Sequence, residues 1–216
     1  MKIAIIGATG FTGSAILKEA LLKGHQVLAL ARNTASVTEK NPLLTLQNID
    51  IANTGELTKA LTGSDVVISA FNAGWTNPNL YNDYLSGARE IEKAVGAAGV
   101  KRFIVIGGAG SLYIAGKQLV DGPDFPEAYR QGAAAARDYL ELLKANKQLD
   151  WTFFSPAIEM NPGVTTGRTG NYRTGLDNPV FDANGRSLLS VEDLAVAIID
   201  EAEAPKHTGL RFTAAY

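Results

Sequence analysis

No cysteine occurs in the 216 residues, and histidine occurs only twice, at His25 and His207. Disulfides, thiol nucleophiles and cysteine-bound metals are therefore excluded. The two histidines each stand beside an expected turn. They form no ligand cluster, so no metal is expected, and both read as surface residues. No apolar run approaches the ~20 residues that a membrane-crossing helix needs. The run Ile3–Ile6 is also too short for a secretory signal and lacks a small-residue cleavage site. Acidic and basic residues nearly cancel, 22 against 20, which predicts no general attraction to nucleic acid or anionic membrane. No block of like charge suggests a tail. These absences fit a reducing compartment, and a cytoplasmic location is the expectation. What remains is ordinary for a globular protein: 46% apolar and 19% charged residues, in a chain long enough to bury a good core as one domain, 1–216.

Glycine, by contrast, is abundant and placed with a pattern. The chain opens Met1-Lys-Ile-Ala-Ile-Ile-Gly-Ala-Thr-Gly-Phe-Thr-Gly13. A short apolar run leads into Gly7, Gly10 and Gly13, and an amphipathic stretch follows to Gly24. This reads as strand, glycine turn, helix. Glycine permits positive φ and lets backbone approach a phosphate closely. The N–H groups that open the helix, aided by its dipole, then face an anion. That context lifts a common glycine spacing above an ordinary strand–helix turn.

The rest of the chain alternates strands and helices. Strands are expected at Lys2–Ile6, Val27–Ala31, Leu43–Asn48, Val66–Ala70, Arg102–Ile106, Trp151–Phe154 and Leu210–Thr213. Helices are expected at about Phe11–Lys23, Leu57–Leu61, Asn79–Ala98, Pro126–Ala145 and, capped by Ser190, Val191–Ala204. Tyr129, Ala133, Ala136, Leu140 and Leu143 share one face of the fourth helix, which predicts a buried Tyr129. Alternation of this kind predicts an α/β Rossmann fold, a doubly wound parallel sheet of strand order 3-2-1-4-5-6 with a possible seventh strand. Residues 157–190, the least regular part, are expected to form a small substrate-side lobe.

The sequence resembles the short-chain dehydrogenase/reductase superfamily in its atypical branch. Gly7-Ala-Thr-Gly-Phe-Thr-Gly13 is close to that branch's wording, with Gly-x-x-Gly-x-x-Gly spacing. The strings Ile106-Gly-Gly-Ala-Gly-Ser-Leu-Tyr113 and Leu149-Asp-Trp-Thr-Phe-Phe-Ser-Pro-Ala157 are similar to the NmrA-like and biliverdin-reductase-B/flavin-reductase-like NAD(P)H-binding proteins. The resemblance implies that Gly7, Thr9, Gly10, Phe11, Thr12 and Gly13 hold the NAD(P) pyrophosphate. It implies that the segment with Gly108, Ala109 and Ser111 passes beside the nicotinamide, with the backbone of Pro156 and Ala157 at the carboxamide. Asp50-Ile51 resembles the pair that contacts adenine, though a simple turn aspartate explains Asp50 as well. Ala70-Phe71, ending strand four, lies where backbone approaches the ribose.

Arg32 and Asn33 end strand two, where an NAD-specific site carries Asp or Glu for the ribose 2′-hydroxyl. An arginine offers a forked donor set to a 2′-phosphate instead. NADP(H) is therefore expected over NAD(H), unless Arg32 is merely a solvated surface residue.

The superfamily's standard enzymes use Ser, Tyr and Lys, the last two as Tyr-x-x-x-Lys on a helix. This chain has one such string, Tyr113-Ile-Ala-Gly-Lys117. Gly107, Gly108, Gly110 and Gly116 before and within it, and Pro123 and Pro126 after it, predict a loop. Tyr129 has helical context but Ala133 at the i+4 position. Ser111 is the one catalytic candidate, able to donate to a cofactor or substrate oxygen or else to close a local turn. Orientation over a nicotinamide suffices when the acceptor is a flavin or quinone. Asn72, Trp75, Phe125, Phe154 and Met160 lie on the loops that would line such a pocket. Two functions of different class follow: an NADPH-dependent oxidoreductase of small planar acceptors, or a non-catalytic NADP-binding sensor of the NmrA-like type. A reductase or epimerase of a carbonyl substrate, using Tyr113 or Tyr129, is a third reading. The partner expected is a small molecule, and the protein a monomer or homodimer.

Overall fold

The computed structural model describes all residues, Met1–Tyr216. Its elements, in chain order, are β1 (Lys2–Ile6), α1 (Phe11–Leu22), β2 (Gln26–Ala31), β3 (Leu44–Asn48), α2 (Thr54–Leu61) and β4 (Val66–Ser69). There follow α3 (Leu80–Ala97), β5 (Arg102–Ile106), a hairpin of β6 (Tyr113–Ile114) and β7 (Lys117–Gln118), and α4 (Glu127–Leu143). The chain closes with β8 (Asp150–Phe154), β9 (Arg173–Gly175), α5 (Val191–Glu203) and β10 (Leu210–Ala215). The sheet order is β3-β2-β1-β4-β5-β8-β10-β9. All neighbours are parallel except β9, which runs antiparallel to β10 at the sheet edge. This is the expected doubly wound order with its seventh parallel strand.

Two apolar layers sandwich the sheet. Ile3 and Ile5 point to the face covered by α1 and α5, while Ala4 and Ile6 point to the face covered by α2, α3 and α4. Both faces are buried, so the central strands read as continuous apolar runs rather than alternating ones. Gly24 and Gly99, both in the left-handed region, end α1 and α3 as their positions in the sequence suggest. Ser190 caps α5, its hydroxyl accepting from the Asp193 N–H.

One expectation fails here. His25 is buried and His207 only partly exposed, so neither is an open surface residue. His25 turns back under α5, with Nε2 2.8 Å from Glu203 and Nδ1 3.3 Å from the N-terminal amine. His207 stacks flat on Phe212, 4.3 Å between centroids, and its Nδ1 is 2.7 Å from Glu201. Carboxylates on the last turn of α5 hold both rings, Glu203 from across the fold and Glu201 from six residues back along the chain. Residues 157–190 also do more than cap the sheet. They contribute β9 to its edge, and Arg168 reaches Glu19 on α1 at 2.7 Å. Thr169 and Gly170 donate to the fully buried Asp193 carboxylate, as does the Tyr216 hydroxyl. Burial would raise the Asp193 pKa, but these donors outweigh it and hold it below the usual carboxylate range.

Below the sheet, Arg102 on β5 and Glu201 on α5 form an ion pair at 2.7 Å with side chains 10% and 3% exposed. Arg102 also donates to the Asp150 carbonyl and Thr152 hydroxyl. Removing one partner of such a pair strands the other charge. Arg102→Met is therefore expected to lower the unfolding free energy by about 3–5 kcal/mol, read from the urea midpoint.

Candidate functional site

Strand order reverses at β1, whose two neighbours are β2 and β4. Ligands of open α/β sheets bind at such a point, beyond the strand C-termini. Gly7 leaves β1 at φ +80°, and a Cβ there would lie 2.6 Å from the Ala70 carbonyl oxygen. A Cβ on Gly13 would lie 2.1 Å from the Gly7 carbonyl oxygen. These two glycines let α1 seat directly on the strand end. Gly10 has a different task. It is the exposed N-cap of α1, at φ −77° and ψ 169°, with no side chain capping the helix. The N–H groups of Phe11, Thr12 and Gly13 have no intrahelical acceptor. Gly7 and Ala8 both donate to the Leu30 carbonyl, which fixes the turn against the end of β2.

Arg32 and Asn33 follow on that strand, both exposed. The Asn33 side-chain oxygen accepts from the Ala35 N–H at 2.9 Å. Asp50, beyond β3, accepts from the Ala52 N–H at 3.0 Å and so does close a local turn, leaving its other oxygen free. Ile51 packs with Phe71 over Gly87, where a Cβ would come within 2.6 Å of the Phe71 ring. Phe71 stacks on Tyr84 at 5.9 Å. Burial pushes the Tyr84 hydroxyl pKa well up, so it stays neutral. Ala70, partly exposed, directly follows β4 beside the Gly7 turn.

At the other end of the crevice, Gly107 leaves β5 under the Phe153 ring, which a Cβ would strike at 2.0 Å. Gly108 and Ala109 are partly exposed, while Pro156 and Ala157 are buried on the exit of β8. Ser111 has no accessible surface. Its hydroxyl lies 3.0 Å from the Gly108 carbonyl and 2.9 Å from the Ser155 hydroxyl, so it links the two loops from beneath.

The Tyr113–Lys117 string is no helix. It forms the β6–β7 hairpin, turning at Ala115 and Gly116, both with positive φ. Lys117 pairs with Ile114 and Gln118 with Tyr113. Opposed residues share a face and neighbours alternate, so Tyr113 and Lys117 project to opposite sides. Tyr129 departs from expectation: it is 54% exposed, not core. It lies in the first turn of α4, ahead of the packed part of the helix, and meets Trp75 edge to face at 5.4 Å. Trp75 in turn rests on Gly132, where a Cβ would come within 2.8 Å of the indole. Phe154 is fully buried packing. The contact roles of Gly87 and Gly132, glycines inside α3 and α4, carry no sequence signal beyond their helix-weakening identity. A surface cleft of about 840 Å³ lies elsewhere, between α5 and residues 170–174.

A parallel sheet with a glycine turn at its reversal point and an uncapped helix opening onto the crevice defines a nicotinamide-nucleotide-binding Rossmann protein. The family model described as NAD(P)H-binding matches residues 7–205, and the chain belongs to that family. It is 37% identical to the uncharacterized protein YwnB of Bacillus subtilis, over 99% of this chain and 97% of that one. A crystal structure from Bacteroides thetaiotaomicron, provisionally named an epimerase, is 44% identical with TM-score 0.91, covering 100% and 96% of the two chains. One from Streptococcus pneumoniae, provisionally named an NADH-flavin reductase, is 34% identical with TM-score 0.87, covering 100% and 99%.

Proposed function

We propose that this protein is an NADPH-dependent oxidoreductase that passes hydride to a small planar acceptor, flavin- or quinone-like. The observation that carries the cofactor half is the uncapped N-terminus of α1 behind a turn whose Gly7 and Gly13 admit no side chain. Thr9, Gly10, Phe11, Thr12 and Gly13 would hold the pyrophosphate. Exposed Arg32, with Asn33, would take the 2′-phosphate, which favours NADP(H) over NAD(H). Asp50, Ile51, Ala70 and Phe71 would flank the adenosine, and Gly108, Ala109, Pro156 and Ala157 the nicotinamide. When bound, the cofactor supplies the hydride, and the chain's own part is to orient it and exclude water. The exposed Trp75–Tyr129 pair supports an aromatic acceptor, since aromatic rings offer edges and faces to a planar ligand.

No proton donor is required of the chain on this reading. The opposed faces of Tyr113 and Lys117 and the burial of Ser111 fit it. Lys117→Ala and Tyr129→Phe are each expected to keep turnover within about threefold, under ~1 kcal/mol in barrier, in steady-state NADPH oxidation. A loss of roughly a hundredfold in Lys117→Ala, with cofactor affinity intact, would instead restore a Tyr–Lys mechanism.

The same two observations also fit a sensor that binds NADP(H) without turnover. NADPH oxidation against a panel of flavins and quinones separates the readings. Consumption matched one for one by reduced acceptor supports the oxidoreductase, and tight NADPH binding without consumption supports the sensor.

A further inference from the structure

Arg211 on β10 is buried, yet it lies far along the sequence from every motif that marks the crevice. Its guanidinium forks. One terminal nitrogen donates to the Ser111 carbonyl and the other to the Asp177 carboxylate. The same group sits over the Tyr113 ring, 5.4 Å from its centroid. Its Nε is buried without a partner. A buried, incompletely satisfied arginine is unfavourable unless its contacts specify something.

What they specify is the placement of two loops. Ser111 is held through its carbonyl by Arg211 and through its hydroxyl by Ser155. Ser111 closes the turn that carries Gly108 and Ala109, and Ser155 precedes Pro156 and Ala157. The Ser155 N–H in turn donates to the Phe212 carbonyl, one residue after Arg211. On the outer side, the Asp177 main-chain carbonyl accepts from the Tyr113 N–H at 2.9 Å and the Asn178 side chain donates to the Tyr113 carbonyl at 2.8 Å. The guanidinium thus joins the turn after β5 to the 157–190 segment, and the Ser111 hydroxyl carries the link on to Ser155 at the exit of β8.

We infer that Arg211 is a positioning residue for the nicotinamide end of the crevice. It fixes the separation of the Gly108–Ala109 backbone from the Pro156–Ala157 backbone, and so sets how tightly the half of the cofactor beyond the pyrophosphate is gripped. It touches neither cofactor nor acceptor. This rests on the cofactor placement proposed above.

The test is a binding comparison in the full-length protein. Titrate NADPH and 2′,5′-ADP, which shares the adenosine 2′-phosphate end but has no nicotinamide, into wild type, Arg211→Lys and Asp177→Asn. Lysine keeps the charge and loses the fork. In Arg211→Lys the affinity for 2′,5′-ADP should hold, while NADPH's advantage over it falls roughly tenfold, the lower end for a lost charge-assisted hydrogen bond. Asp177→Asn should show the same selective fall, smaller in size. Its carboxylate is 68% exposed, so this variant carries the test should Arg211→Lys not fold. An unchanged NADPH advantage in the folded Arg211→Lys, or in Asp177→Asn where the lysine variant unfolds, overturns the inference. Equal loss for both ligands makes Arg211 merely structural and overturns it too. Wild type that binds 2′,5′-ADP as tightly as NADPH, or binds neither, defeats the cofactor placement itself and the inference with it.

Discussion

Gly10→Val is expected to abolish NADPH binding in a protein that still folds. Gly10 is exposed and its backbone angles suit any L residue, so a side chain there does not strain the turn. A Cβ meets only the Gly7 carbonyl oxygen, at 3.3 Å, a contact that a small shift relieves. The branched methyls would instead stand over the N–H groups of Phe11, Thr12 and Gly13. Losing two charge-assisted hydrogen bonds weakens binding by roughly a hundredfold or more. Calorimetric titration of the variant, with its circular dichroism and melting temperature beside wild type, measures both halves of the claim. Wild-type NADPH affinity in folded Gly10→Val would remove the turn from the site. Gly13→Ala makes the contrast, since its Cβ would collide with backbone and the fold itself should suffer.

Arg32→Asp is expected to reverse the choice of cofactor. The variant loses a forked donor and gains a charge that repels a 2′-phosphate. NADPH should bind roughly 10- to 150-fold more weakly, the range for one charge-assisted hydrogen bond, with repulsion added. NADH has no 2′-phosphate to lose, and an aspartate at that place can accept from its 2′-hydroxyl, so its affinity should hold or rise. Arg32 is exposed, unlike the buried Arg102 and Arg211 side chains, so the fold should not change. Parallel titrations of both nucleotides decide it, and an unchanged NADPH to NADH ratio contradicts the assignment.

Most of the sheet was legible because its signals are local. Ile3–Ile6 followed by Gly7, Gly10 and Gly13 reads as strand, turn and helix, and with the regular alternation that follows, this N-terminal glycine turn fits the order 3-2-1-4-5-6. The glycines and prolines around Tyr113 and Lys117 marked a loop, and the hairpin turn at Ala115–Gly116 is what they encode. The misses share a cause. β9 has three residues, too few for a pattern, and exists because β10 offers it an edge. Tyr129 has the spacing of a core residue, but the helix face it begins extends past what packs against it. His25 depends on Glu203, and Arg211 on Ser111 and Asp177, partners distant in sequence, while His207 folds back on Glu201 six residues before it, across the turn that ends α5. Nothing in a single sequence pairs them.

The central claim is that the protein binds NADPH in one orientation and hands on its hydride from one face. Prepare NADPH deuterated at C4 separately on each face, let the protein oxidise each with a flavin acceptor without oxygen, and weigh the NADP⁺ produced. Two loops that fix the nicotinamide predict that one labelled cofactor yields NADP⁺ without deuterium and the other yields NADP⁺ that keeps all of it. A mixture from both, or no NADPH oxidation with any acceptor while NADPH binds, would contradict the account.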